Sequence, residues 1–157
     1  MGRDSEERNL RGTKQHLAYM MWQEHLSGEF LLSSVVEDSL LYTLNHHESS
    51  PELSTVAKRI AKISVQTAAE VICLTESTVH ELVRGVMNSM LRLGGNPVEI
   101  TWAVAVGAWH GLRDVSKDGG GRRFLHAIRS GISRAAEDMQ QLAHVQNNGS
   151  LLSAPSL

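Results

Sequence analysis

The sequence has one cysteine, three prolines and few aromatic residues: three Trp, two Tyr and two Phe among 157 residues. A lone Cys73 excludes an internal disulfide and fits a reducing compartment, so a cytoplasmic location is expected. Scarce Pro and only 13 Gly, alongside 41% apolar residues, exclude collagen-like and low-complexity chains. With so few rings, a core has to be built from Leu, Val, Ile, Ala and Met. No sign of charge dominates, because 15 Lys and Arg face 17 Asp and Glu. No global field therefore draws the chain to nucleic acid or anionic lipid. The longest apolar run, residues 100–112, spans about 20 Å as a helix against a hydrocarbon thickness of about 30 Å, and it contains His110. No transmembrane segment is expected. Residues 1–11 are densely charged and lack the apolar centre of a secretory signal.

What is present is helical periodicity. The pattern predicts an all-α fold, a mostly antiparallel bundle of five or six helices occupying residues 14–146, with flexible tails at 1–13 and 147–157. Apolar residues recur at helical spacing from Leu17 through Met21, then from Leu31 to Thr43, with Ser27-Gly28 as a break between them. Ser49-Ser50-Pro51-Glu52 has the composition of a capping box, with Ser49 as cap and Pro51 in the first turn. The next stripe, Leu53 to Leu74, carries Cys73 on its apolar flank, where a buried, inert thiol is expected; Thr75 to Thr78 offers a stop and restart.

Gly94-Gly95-Asn96-Pro97-Val98-Glu99 reads as a glycine C-cap followed by an Asn N-cap, Pro at the first helical position and Glu closing the box. The helix over 97–116 is apolar on nearly every side. Val98, Trp102, Val106 and Trp109 form one face; Ile100, Val104, Gly107, Gly111 and Val115 form another. Such a helix is expected at the centre of the bundle, with Trp102 and Trp109 as packing anchors. The last helix, over 122–145, shows the three-four spacing of a bundle seam in Leu125, Ile128, Ile132, Ala135, Met139 and Leu142.

Three of these helices share an internal repeat, a small residue followed by another four positions on: Gly85 with Ser89, Gly107 with Gly111, and Gly131 with Ala135. Small residues four apart share a face and let a neighbouring backbone approach closely. The repeated helix and its Gly-Gly-Asn-Pro-Val-Glu linker, over residues 66–140, resemble a bacterial family of small-residue helical-repeat proteins of unestablished function. The chain also looks like phasins, the short, Ala-rich helical proteins that coat polyester granules. Neither resemblance implies a catalytic residue or a cofactor.

The eight histidines invite a metal reading, but a helical site wants Glu-x-x-His or His-x-x-x-His, and neither occurs. Glu76 with His80, His25 with Glu29 and the His46-His47-Glu48 run are what the chain offers, so no metal or other cofactor is expected. No Gly-x-Ser-x-Gly elbow is present. The adjacent carboxylates Glu6-Glu7, Glu37-Asp38 and Glu137-Asp138 diverge by about 100° on a helix, which suits solvated faces. Gly120 and Gly121, opening a helix ahead of Arg122 and Arg123, are the candidate anion site. Arg122, Arg123, Arg129 and Arg134 could instead pair with the acid-rich first third, in which residues 1–50 hold eight acids and four bases.

The function expected is that of a non-enzymatic scaffold or interaction protein, self-associating through its heptad and small-residue faces. A coat for a lipid or polymer surface is the alternative, and an enzyme or metal protein with a site inside the bundle is the third.

Overall fold

The computed structural model describes residues 2–27, 52–116 and 120–153. Every regular element among them is helical: α1 (Gly2–Ser27), α2 (Leu53–Val71), α3 (Glu76–Arg92), α4 (Pro97–Val115), a 3-10 turn (Gly120–Phe124) and α5 (Leu125–Ser153). The all-α bundle expected from periodicity is what forms. Helical backbone reaches into both stretches assigned to tails, to Gly2 at one end and Ser153 at the other. α1 is described to Ser27, and the Gly28 half of the predicted Ser27-Gly28 break lies outside the described residues. The stripe from Leu31 to Thr43, and Ser49 to Pro51 of the predicted cap, lie outside the described residues.

The caps follow local chemistry. α2 begins three residues later than its capping signal suggests, at Leu53, with Glu52 at the N-cap. The Glu52 carboxylate takes hydrogen bonds from the hydroxyls of Ser54 (3.2 Å) and Thr55 (3.4 Å) and leaves the backbone donors uncapped. Thr75 caps α3 by accepting from the Thr78 amide at 3.1 Å. Asn96 caps α4, its Oδ1 receiving the amides of Val98 (3.0 Å) and Glu99 (3.2 Å), with Pro97 in the first turn. Gly94, at φ +88°, supplies the left-handed residue that closes α3.

Short connectors at 72–75 and 93–96 turn the chain back, so consecutive helices are antiparallel neighbours. The tightest packing, however, lies between α2 and α4 and between α3 and α5. Within each of these pairs, residue numbers rise together: Lys58 meets Gly107 and Lys62 meets Gly111, while His80 meets Gly131 and Arg84 meets Asp138. Each pair is therefore parallel. The two pairs also correspond to each other. Adding 22 to the buried positions of α2 (57, 60, 61, 64, 65, 67, 68) gives positions that are all buried in α3.

The small residues explain the close approach. A Cβ placed on Gly107 would fall on the Lys58 carbonyl oxygen, and one on Gly111 would lie 2.9 Å from that of Lys62. At Gly131 it would lie 2.7 Å from the His80 carbonyl oxygen and 2.9 Å from Val83 Cβ. Ala135 is fully buried on the same face of α5; Gly85 and Ser89 are buried in α3, where the Ser89 hydroxyl donates to the Gly85 carbonyl at 2.8 Å. The core around these contacts is mostly aliphatic, with Leu17, Met21, Ile60, Leu82, Met90, Ile100 and Leu112 the largest enclosed side chains. Burial of such side chains contributes about 1.5–3 kcal/mol each.

Candidate functional site

α4 is buried on one face only. Ile100, Ala103, Val104, Gly107, Ala108 and Gly111 point inward. The opposite face is also apolar, and it is open. Val98 is 79% exposed and Trp102 is 74% exposed, with Val106 and Trp109 half-buried further along. Among the described residues Trp102 is thus not enclosed as a packing anchor, contrary to the sequence expectation. The reason is geometric: α2 takes up the glycine face of α4, and both faces of one helix cannot turn toward it. Trp109 is partly covered because Gly121 of the 3-10 turn rests on its ring, where an added Cβ would sit 3.4 Å from Cζ3. Leu93, in the turn before α4, is also exposed.

The ends of this outer face carry opposite charges. Glu99 is exposed near the N-terminus of α4 and Arg113 near the C-terminus. Neither forms an ion pair or hydrogen bond through its side chain with another described residue. Arg113 borders a shallow cleft of about 220 Å³ together with Lys62, His110 and Asp114. In that cleft Asp114 is already engaged, by Lys62 at 3.5 Å and by the Gln66 amide at 3.0 Å.

A second polar cluster joins α3 to α5 and departs from the expectation of solvated acids. Glu137 is solvated as expected, but Asp138 is only 19% exposed. Its carboxylate accepts Arg84 Nε at 2.6 Å and Nη2 at 3.0 Å, and Asn88 Nδ2 at 3.0 Å. Burial works against ionisation of Asp138, yet the hydrogen bonds from Arg84 and Asn88, reinforced by the charges of Arg84 and Arg134, hold it below the usual carboxylate range. The Asp138 hydrogen bond raises Arg84 in turn, against the cost of burial. The signal was present in the sequence: Asp138 follows Gly131 and Ala135 at i+7 and i+3, on the inner face. Asn88 Oδ1 is enclosed without a hydrogen-bond partner, as is Ser64 Oγ.

His80 faces this seam. Ser130 Oγ lies 2.7 Å from His80 Nδ1 and 3.1 Å from the Ala127 carbonyl, and the His80 tautomer sets which of the two accepts the hydroxyl proton. Nε2 then lies 3.7 Å from Glu81. Arg134 pairs within its own helix, at 3.2 Å from Glu137 and 3.8 Å from Asp138, while much of the acid-rich first third lies outside the described residues.

The remaining candidates do not converge. Gly120 and Gly121 belong to the 3-10 turn rather than to a loop opening an α-helix, and Gly121 serves to pack Trp109. Arg122 and Arg123 are both exposed, and the Arg123 guanidinium stacks on Phe124 at 4.6 Å. Cys73, expected to be buried on a helix flank, is exposed in the connector between α2 and α3, because α2 stops at Val71. Among the described residues no three His, Cys, Asp or Glu side chains gather as metal ligands, and no helix is long and apolar enough to cross a membrane. Comparison of the chain with family models, curated proteins and solved structures gives no match.

Proposed function

We propose that this protein is a non-enzymatic helical interaction protein that associates through the outer face of α4. One observation carries the reading: α4 is apolar on two opposite faces, and the described residues cover only one of them. An exposed Trp on a rigid helix beside further apolar residues has the character of an interface anchor. The small-residue faces, in contrast, are occupied inside the chain, where Gly107, Gly111 and Gly131 already meet neighbouring backbones. That moves the association surface away from the glycine stripes. The polar groups between α3 and α5 neutralise one another, which supports a structural role for them.

The test is light scattering coupled to size exclusion over a wide concentration range, for the wild-type chain and for Trp102→Glu. The wild type is expected to exceed the monomer mass as concentration rises, and Trp102→Glu to remain monomeric with unchanged helicity. Sedimentation with liposomes and with polyester particles forms the second arm. Trp102-dependent binding to particles by a chain that stays monomeric would replace this reading with a surface coat. A wild type that is monomeric throughout and binds no particle would overturn it.

A further inference from the structure

We propose that the partner on this face is a second copy of the chain, docked through antiparallel α4 helices about a two-fold axis at Val106. The proposal rests on the reading of the outer α4 face as the association surface, and it adds partner, orientation and register.

Charge placement selects the orientation. Glu99 and Arg113 are 14 residues apart, about 21 Å along the helix, with Val106 midway. At about 100° per residue, Val98, Trp102, Val106, Trp109 and Arg113 fall within a strip some 80° wide, and Glu99 sits at its edge. This strip lies opposite Gly107 and Gly111. In an antiparallel pair centred on Val106, Glu99 of each copy reaches Arg113 of the other, and both ion pairs form at once. Such self-complementarity is what a two-fold interface requires. Trp102 of one copy then lies against the Val106 to His110 stretch of the other, where the half-buried Trp109 provides an apolar floor.

The receiving end is built for a carboxylate. Lys62, His110 and Arg113 border the cleft, and its own acid, Asp114, is held by Lys62 and Gln66. The space of about 220 Å³ accommodates the end of a Glu side chain. A parallel arrangement would set Glu99 against Glu99 and Arg113 against Arg113, and like charges facing each other disfavour it. An anionic lipid surface would meet the same repulsion from Glu99.

Four samples decide the matter by sedimentation equilibrium: Glu99→Arg, Arg113→Glu, the double variant, and an equimolar mixture of the two single variants. Each single reversal is expected to weaken self-association at least about tenfold, since it places like charges together at both ends. The double variant swaps the pair and is expected to return to within about threefold of wild type. The mixture should recover as a heterodimer, because the Glu99→Arg copy is positive at both ends of its strip and the Arg113→Glu copy is negative at both. Circular dichroism melts of each variant, together with the milder Glu99→Gln and Arg113→Gln, separate interface effects from misfolding. If the wild type self-associates, Trp102→Glu blocks it and the charge reversals change nothing, the antiparallel register falls while the association surface stands. A wild type that is monomeric at every concentration while binding particles through Trp102, or binding nothing, removes the second copy.

Discussion

The guanidinium of Arg84 and the carboxylate of Asp138, 54 residues apart in sequence, meet through two side-by-side hydrogen bonds of 2.6 and 3.0 Å. Planar groups that match in this way are stronger and more directional than single contacts. This pair sets how far α5 slides along α3, because apolar ridges alone tolerate small shifts and a forked ion pair does not.

Replacing Arg84 by Met should leave Asp138 largely enclosed without its main partner. The expected loss is about 2–3 kcal/mol of unfolding free energy, measured by urea denaturation. Arg84→Lys, which keeps the charge and loses the fork, should fall between. A loss under about 0.5 kcal/mol for Arg84→Met would show that the pair contributes no more than an ordinary surface bridge.

Acid should expose the same pair. The folded-state pKa of Asp138 is lowered, so its stabilisation is complete above the ordinary carboxylate range and is lost as pH falls through that range and then through the folded value. The wild type should therefore exceed Asp138→Asn in stability at neutral pH, and the gap should narrow below about pH 4. Urea midpoints of both proteins across pH check this; a constant gap down to about pH 2 would contradict it.

Glycines at two positions should respond with opposite signs. Gly107→Ala drives a methyl into the Lys58 carbonyl and must push α2 and α4 apart, which should cost about 2–4 kcal/mol. Gly12 is exposed in α1 with nothing within 4 Å of an added Cβ. Gly12→Ala should therefore stabilise by up to about 1 kcal/mol through helix propensity. Thermal melts followed by circular dichroism compare the two; equal effects would refute the close-approach account.

The thiol of Cys73 should react with a disulfide reagent in the native protein at a rate near that of the unfolded chain. Its exposure in the α2–α3 connector leaves no core to open first. A lag matching global unfolding would place it inside.

Local chemistry was legible in the sequence, and relative placement less so. Asn96, Thr75 and Gly94 act where their side chains or φ freedom implied, since caps depend on three or four adjacent residues. The close-packing role of Gly107 and Gly131 was readable for the same reason: a missing Cβ is itself the signal. What periodicity could not decide was which apolar face of α4 turns inward, because Val98-Trp102 and Ile100-Val104 satisfy the same 3.6-residue period. Partly buried Asp138 was hidden by a solvated neighbour, Glu137, and exposed Cys73 by the apolar residues on either side. The Glu52 carboxylate takes two nearby hydroxyls, while Ser49, its expected partner, lies outside the described residues.

The interleaving of parallel pairs has a consequence for how the chain emerges and matures. Lys58 waits for Gly107, and His80 waits for Gly131, so each helix is followed by one that is not its closest neighbour. Cutting the chain anywhere between α3 and α4 separates both pairs and leaves neither half with a completed seam. The four helices α2 to α5 thus behave as one cooperative block that closes only when α5 arrives. That places the closing of both seams after α5 has been made and makes α5 the element that locks the other three.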